Sequence, residues 1–402
     1  MKRSNLLGRN IVITFLSCLA VLAVFFAISR TRNLDGTMPT VTVGFIYESD
    51  ESAPYTYNCA RAEVMLHEEL RDDVIIIRRN NVPEDGIEEP LRELADEGCD
   101  IIFTNCHTPE VAELASSFPD VEICQISDLE EAPASYPENY HTYNGEIYQA
   151  RYVCGVAAGL KLREMIGKGE ITPEEAVIGY VGAFPVAPVI SGYTAFLIGV
   201  RSVVPEAVMK VKYTGTWGSF SKEKECAAEL IKEGCTVITQ HSDTSGPAIA
   251  CEEAAVRRPM VYIGVNKSML DVAPATALMS LRIDWSPYVM GAVEAVRSHQ
   301  KIESVVDGRA NGNDISGGFD EGWLELMDLN QNVAAKGTEA AVKEAINAIC
   351  GNRTIAFRGD YTGVDPDNPS DTYDLSKGYI ENAESSIATF HYVLKDVITV
   401  LT

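Results

Sequence analysis

The sequence lacks the short motifs that mark several enzyme classes. Its 402 residues contain no CxxC pair, no GxxxxGKS or GxxxxGKT phosphate loop, no GxGxxG and no GxSxG, so nothing points to the chemistry that those motifs serve. Positive charge is also scarce, since 33 Lys and Arg stand against 58 Asp and Glu and give a net charge of −25. Such a chain would repel nucleic-acid phosphates, which excludes nucleic acid as the expected partner.

Apolar residues, in contrast, are plentiful. A hydrophobic content of 46% is typical of a folded globular protein, and 402 residues exceed the size of one core, so two domains are expected. We interpret the ten cysteines as buried thiols rather than disulfides. Cys99, Cys124, Cys235 and Cys350 border or interrupt apolar runs, where cysteine behaves as a small hydrophobe.

The amino terminus is a separate segment. Three basic residues precede an uncharged apolar run at residues 11–28, and Ala27-Ile28-Ser29 has the small-x-small pattern of a signal-peptide cleavage site. The run is also just long enough to cross a bilayer uncut. Residues 1–38 are therefore expected to be a signal peptide or membrane anchor plus linker, with a lipid on Cys18 as the minor alternative. Either arrangement predicts an extracytoplasmic, membrane-associated protein.

An internal duplication predicts the architecture. The stretch LADEGCDIIFTNCHTP (94–109) matches LIKEGCTVITQHSDTSGP (230–247), and both read as a helix, a glycine that ends it and a buried strand. A second pair, residues 41–66 and 176–201, keeps nearly the same offset, and each member reads as a strand, a proline-bearing loop and a helix. Two repeats in register imply two lobes of like topology.

Continuous apolar runs alternate with helical patterns in both halves, which predicts α/β lobes with parallel sheets covered on both faces. The predicted strands are 74–78, 100–104, 121–126, 177–182, 208–214, 236–239 and 260–265. In open parallel sheets ligands bind beyond the carboxyl ends of the strands. Two lobes placed face to face would therefore bring residues 240–243 opposite residues 104–107, which include Asn105, across one cleft.

Three segments resemble the basic membrane protein family, the solute-binding proteins of ABC transporters for purine nucleosides and related purines. They are NGEIYQARYVCGVAAGLKL (144–162), the long block 178–243 and GGFDEGWLELMDLN (317–330). The resemblance extends over about residues 40–360 and implies two Rossmann-like, doubly wound lobes joined by three hinge strands, as in type I periplasmic binding proteins. It places residues 39–172 with about 281–312 in the first lobe and residues 173–280 with about 313–402 in the second.

The resemblance also implies site residues. Trp217 in GTWGSF corresponds to an aromatic residue that stacks on the purine. The loop ESDESAPYTYN (48–58) corresponds to one that supplies an acid, an aromatic ring and an amide, here Asp50, Tyr55 or Tyr57, and Asn58. The segment ITQHSD places His241 and Asp243 at the cleft, although a surface pair remains the alternative.

The ribose contacts of the family are not matched in full. Asn266 and Ser268 in GVNKS stand where the family often has two aspartates for ribose hydroxyls. A ribose-binding lysine has no clear equivalent, and Arg282 or Asp284 lies nearby. A free base or another small purine-like ligand therefore stays open beside the nucleoside.

The sequence thus predicts a monomeric solute-binding protein that captures a purine nucleoside or nucleobase by lobe closure and delivers it to an ABC permease. We expect no catalysis, cofactor or metal: residues 307–318 begin like a calcium loop, but Arg309 and Gly318 occupy positions that need oxygen ligands. A membrane-tethered sensor with the same fold is the alternative. A purine nucleoside-processing enzyme is a minor alternative, since no tight aspartate cluster for a metal is found in the sequence.

Overall fold

The computed structural model of the chain describes residues 39–127 and 137–402. The apolar run at 11–28, the cleavage pattern and Cys18 lie outside the described residues. Within those residues, no helix combines the length and the apolar character that crossing a membrane requires. The described cysteines are all free thiols, and all but Cys350 are buried.

A first sheet of seven strands is built mainly from the amino-terminal part of the chain. Its strands are β1 (Val41–Ile46), β2 (Val74–Arg79), β3 (Ile101–Thr104), β4 (Glu122–Ile126), β5 (Tyr140–Gly145), β11 (Arg309–Asn311) and β12 (Asp314–Gly317). Their spatial order is β11-β12-β5-β4-β3-β1-β2. All neighbours pair in parallel except the antiparallel β11–β12 hairpin.

A second sheet of seven strands repeats this plan. It contains β6 (Val177–Gly182), β7 (Val208–Tyr213), β8 (Val237–His241), β9 (Val261–Val265), β10 (Ala277–Ile283), β13 (Leu324–Met327) and β17 (Ile398–Leu401). The order is β13-β10-β9-β8-β6-β7-β17. The run β7-β6-β8-β9-β10 reproduces β2-β1-β3-β4-β5 of the first sheet, so the two lobes of like topology that the duplication predicted are present. The α/β class is confirmed.

Helices cover both sheets. They are α1 (Pro54–Leu70), α2 (Glu88–Asp96), α3 (Glu110–Ala115), α4 (Ile147–Gly167), α5 (Ala187–Arg201), α6 (Phe220–Lys232), α7 (Gly246–Ala255), α8 (Ser286–Ser298) and α9 (Thr338–Cys350). Helices α4 and α5 lie very close together: a Cβ built on Gly155 of α4 would stand 2.1 Å from the carbonyl oxygen of Phe196. Only glycine fits at such a backbone approach.

Helix α4 packs against α5 and against strands β9, β10 and β13 of the second sheet. The division expected at residue 172 therefore falls after a helix that belongs, by packing, with the second lobe. The sequence pattern does not reveal this, because a helix buried on nearly all sides does not show which sheet covers it. Helix α8 packs with α1, β1 and β3 of the first lobe.

The chain passes between the lobes at three adjacent places, which agrees with the three hinge strands that the resemblance implies. These are the connections from β5 to α4, from β10 to α8 and from β12 to β13. The crossings are hydrogen-bonded to one another, from Glu146 N to Gly317 O at 2.8 Å and from Asp284 N to Trp323 O at 2.7 Å. The floor of the cleft is therefore a short, well-connected set of segments.

The carboxyl-terminal segment touches both lobes. Strands β14 (Thr362–Val364), β15 (Thr372–Asp374) and β16 (Val393–Leu394) form a small antiparallel sheet, and β17 then joins the second sheet beside β7. Between these elements, the backbone N–H of Ser386 donates to Asp314 Oδ2 on strand β12 at 2.6 Å, and Ser385 Oγ donates to the same oxygen at 3.0 Å. The carboxyl-terminal segment, which the resemblance places in the second lobe, thus also binds the edge of the first.

Candidate functional site

Asp243 joins the two lobes across the cleft. It follows β8, and its Oδ2 accepts a hydrogen bond from the backbone N–H of Tyr55 at 3.0 Å, while Oδ1 accepts from Asn266 Nδ2 at 3.3 Å. Tyr55 lies in the first turn of α1, where unpaired backbone N–H groups favour an anion. Burial nevertheless dominates and raises the pKa of Asp243 to about 7, against the opposing effect of these two hydrogen bonds. The carboxyl group is therefore poised to titrate near neutral pH.

The polar residues at the end of β8 divide between two faces. Gln240 Nε2 donates to the carbonyl oxygens of Ser242 and Thr244, both at 2.8 Å, and Ser242 Oγ donates to the buried Glu223 of α6 at 2.8 Å. Alternate residues of a strand point to opposite faces, so these two side chains turn into the second lobe. Of the residues 240–243 expected to face the first lobe, His241 and Asp243 are the ones on the cleft side.

The second lobe contributes an exposed aromatic surface. The carbonyl oxygen of Trp217 accepts a hydrogen bond from the backbone N–H of Asp243 at 2.8 Å, which fixes the tryptophan loop beside β8. Its ring centre lies 6.1 Å from that of His241 and 5.7 Å from that of Phe184. Trp217 is 43% exposed, so a broad indole face remains available for stacking. Sequence reasoning missed Phe184, although it follows β6 at the same edge of the sheet.

The first lobe contributes the start of helix α1. Pro54 occupies the first helical turn, so both candidate tyrosines lie on the helix and not on the preceding loop. The ring of Tyr55 is 5.9 Å from that of His107, in an edge-to-face arrangement. The ring of Tyr57 is instead covered by Lys267, whose Nζ lies 5.1 Å from the ring centre. Tyr55 is thus the tyrosine that the structure places with Asp243 and His107.

Two predicted amides lie buried below this surface. Asn58 Nδ2 donates to the carbonyl oxygen of Ile283 at 2.9 Å and so ties α1 to a hinge segment. Asn105 Oδ1 accepts from the backbone N–H of Glu48 at 3.0 Å and holds the ends of β1 and β3 together. Asn105 therefore positions the cleft wall.

The carboxylates of Asp50 and Asp284 bind backbone groups of their own segments. Asp50 is exposed, and its Oδ1 accepts from the backbone N–H of Ser52 at 2.9 Å. Asp284 Oδ1 accepts from the backbone N–H of Ser286 at 3.0 Å, at the start of α8. Both carboxylates satisfy local backbone donors, as aspartates in turns and caps commonly do.

Buried polar atoms without a hydrogen-bond partner among the described residues concentrate around the cleft and its floor. They include Thr56 Oγ1, Asn58 Oδ1, the three guanidinium nitrogens of Arg151, Tyr180 Oη, His241 Nδ1, Trp285 Nε1 and Ser286 Oγ. Buried polar groups in folded proteins are nearly always hydrogen-bonded. A concentration of unpaired ones in one region therefore indicates a place where a ligand or water completes the bonding.

Arg151 is the most unusual member of this set. It is fully buried on α4, and its guanidinium carbon lies 5.6 Å from the ring centre of Tyr180. Burial, reinforced by the positive charge of Arg151, holds the pKa of His241 well below its usual range, so this histidine is neutral. Sequence reasoning missed Arg151, although a single cation inside the apolar stretch ARYVCGVAAGL was a usable signal.

Comparison with known proteins now identifies the family. The family model described as "ABC transporter substrate-binding protein PnrA-like" (Bmp) matches residues 53–355. The chain belongs to this family. The Bmp proteins are solute-binding proteins of ABC transporters, which confirms the resemblance noted in the sequence.

The curated relatives of this Bmp protein differ in the ligand that their names state. A purine-binding protein from Brucella abortus is 30% identical over 312 residues, which cover 75% of this chain and 80% of that protein. A putative ABC transporter glucose-binding protein from Haloferax volcanii is 31% identical over 211 residues, which cover 52% and 48% of the two chains.

Solved structures agree on the fold. An ABC transporter solute-binding protein from Aeropyrum pernix superposes with a TM-score of 0.61 at 17% identity, covering 82% of this chain and 95% of that one. Another from Conexibacter woesei gives a TM-score of 0.58 at 19% identity, covering 78% and 97%.

Proposed function

We propose that this Bmp protein is the extracytoplasmic component of an ABC transporter that binds a purine nucleobase or nucleoside between its lobes, without any chemistry of its own. One observation carries the proposal. Asp243 of the second lobe meets the start of α1 in the first lobe, and aromatic rings approach this contact from both sides, Tyr55 with His107 and Trp217 with His241. The purine-binding relative supports the choice of ligand.

A flat heterocycle suits such a cleft. Stacking of a base on an aromatic side chain is worth about 1–3 kcal/mol, and Trp217 offers an open indole face. Closure of the lobes excludes water and strengthens each polar contact within the cleft. Closure also links occupancy to the shape of the whole protein, which is the signal that a permease reads. The unpaired polar atoms around the cleft are available for the edge of the ring.

The contacts of Asn266 favour the base over the nucleoside. The resemblance to the family implies an aspartate for the ribose at this position, and the amide of Asn266 instead donates to Asp243 Oδ1 at 3.3 Å. Ser268 Oγ accepts from the backbone N–H of Leu270 at 3.4 Å. These side chains are engaged within the protein, and neither offers the carboxylate that binds paired hydroxyls.

Titration calorimetry of the purified protein tests the proposal. We expect hypoxanthine or another purine base to bind at micromolar concentration or tighter, more strongly than inosine, and glucose not to bind. Trp217→Ala is expected to weaken binding of the base by roughly 5- to 100-fold, since one stack is lost. Phe220→Ala is the matched control, because Phe220 is exposed to a similar extent, 47%. Binding of glucose with no binding of any purine would overturn the proposal.

A further inference from the structure

The guanidinium of Arg151 is a buried cation without a hydrogen-bond acceptor in the part of the chain that the structure describes. None of its three nitrogens has a hydrogen-bond partner among the described residues, no ion pair involving it occurs among them, and the side chain is fully buried. A cation removed from water is strongly unfavourable unless it is paired. Stacking on Tyr180 compensates for part of this, since a cation over an aromatic face is attracted to it. The in-plane N–H groups still find no acceptor within residues 39–127 and 137–402.

Two further unpaired polar atoms converge on the same place. A Cβ built on Gly192 of α5 would lie 3.0 Å from Tyr180 Oη, 3.3 Å from His241 Nδ1 and 3.6 Å from Arg151 Nε. All three of these atoms lack hydrogen-bond partners within the described part of the chain. The three atoms therefore lie close together beside the backbone of Gly192, where no side chain stands between them.

The point beside Gly192 adjoins the aromatic surface of the cleft. His241 keeps some solvent exposure, and its ring lies 6.1 Å from that of Trp217. The same imidazole presents Nδ1 to the point beside Gly192. His241 therefore contacts both the proposed stacking face and the cluster around Arg151.

The chemistry of the cluster determines what it accepts. A guanidinium only donates hydrogen bonds, and a tyrosine hydroxyl also has a proton to donate. We propose that Arg151, Tyr180 and His241 form an acceptor-binding subsite that takes a carbonyl or anionic oxygen of the ligand, and so selects an oxopurine over an aminopurine. This inference rests on the proposed function. An exocyclic amino group of the ligand would place its own N–H donors against those of the guanidinium and leave the guanidinium without an acceptor.

Calorimetry with hypoxanthine and adenine provides the test, because these bases differ in whether position 6 carries an oxygen or an amino group. We expect the wild-type protein to prefer hypoxanthine by about 10- to 100-fold, as a charge-assisted hydrogen bond gives. Arg151→Met, which keeps the length of the side chain and removes its charge, should reduce this preference to less than about 3-fold. Gly192→Ala, which places a methyl group 3.0 Å from Tyr180 Oη and 3.3 Å from His241 Nδ1, should displace these groups and weaken hypoxanthine binding more than adenine binding.

Thermal unfolding of the ligand-free variants separates this role from a structural one. Removing an unpaired buried charge is expected to leave the melting temperature of Arg151→Met unchanged or raised. A lowered melting temperature together with an unchanged preference would show that Arg151 only supports the fold, and would overturn the inference. Equal binding of both bases by the wild type would overturn the inference alone. Failure of every purine to bind would overturn the proposed function as well.

Discussion

We expect closure of the lobes to depend on pH, because it buries the carboxyl group of Asp243. With Asp243 held between the lobes, burial raises its pKa to about 7 from the ordinary 3.8. When the lobes separate, the group becomes hydrated and its pKa returns towards the ordinary value. The closed state therefore binds the proton more tightly than the open state. Closure is most favoured below pH 3.8, where the carboxyl group is protonated in both states. It becomes less favourable as the pH rises from there. Above about pH 7 it carries the full free-energy cost of burying the ionised carboxylate.

The magnitude follows from the difference in pKa. A shift of about 3 units corresponds to about 4 kcal/mol at 1.36 kcal/mol per unit, and solvent screening of the partly exposed group lowers this to roughly 2–4 kcal/mol. Such a change is enough to move a two-state equilibrium from mostly open to mostly closed. The nearby charges of Glu223 and Glu48 act in the same direction, since like charge raises the pKa of Asp243 further.

Small-angle scattering of the ligand-free protein at pH 5 and pH 8 measures the effect. The wild type is expected to be more compact at pH 5. Asp243→Asn, which keeps the shape of the side chain but carries no titrating proton, should lose most of this difference in radius of gyration. Glu381, whose pKa burial also raises to about 7, titrates in the same range, so any difference that remains in the Asn variant is assigned to it. A difference in Asp243→Asn as large as that of the wild type would refute the reasoning.

Two further predictions concern stability. Gly155→Ala should lower the free energy of unfolding, measured in urea, by about 3 kcal/mol or more, because the new methyl group meets the backbone of α5. Gly167→Ala is the control: a Cβ built on Gly167 has no atom within 4 Å, so the free energy of unfolding should stay unchanged or rise slightly. For His141, burial lowers the pKa, but hydrogen bonds to Glu122 and Glu303 outweigh it and raise the pKa to about 9. The protonated His141 therefore stabilises the folded state by an amount of order 3 kcal/mol. This stabilisation is complete below pH 6.5 and is lost as the pH rises through 9. His141→Gln should accordingly lower the melting temperature at pH 6 and leave it nearly unchanged at pH 10.

Strands buried on both faces were predictable from the sequence. Strands β6 and β9 read as uninterrupted apolar runs, because parallel strands covered by helices bury both of their faces. Strand β5 was not among the predicted strands. Its segment YHTYNG is polar, and burial there is made possible by specific partners, such as Thr142 Oγ1 donating to Asp314 Oδ1 at 2.7 Å. Pairing of this kind is tertiary information that a single sequence does not display.

The candidate site was predictable only in part, and for a similar reason. His241 and Asp243 stood out because polar residues followed a buried strand, and both are on the cleft side. Gln240 belonged to the same cluster but turns to the opposite face, where it joins Glu223. Arg151 contributes from a helix that precedes the second sheet in the chain, so nothing in its local sequence indicates that it reaches the end of β8. Folding, and not spacing, brings it there.

The crystal structure of the protein grown with hypoxanthine is the most direct measurement of the central claim. We expect density for one base between the rings of Tyr55 and Trp217, with its oxygen directed towards Arg151 and the two lobes closed on it. A base bound elsewhere on the protein, or a closed cleft that stays empty at saturating hypoxanthine, would contradict the account.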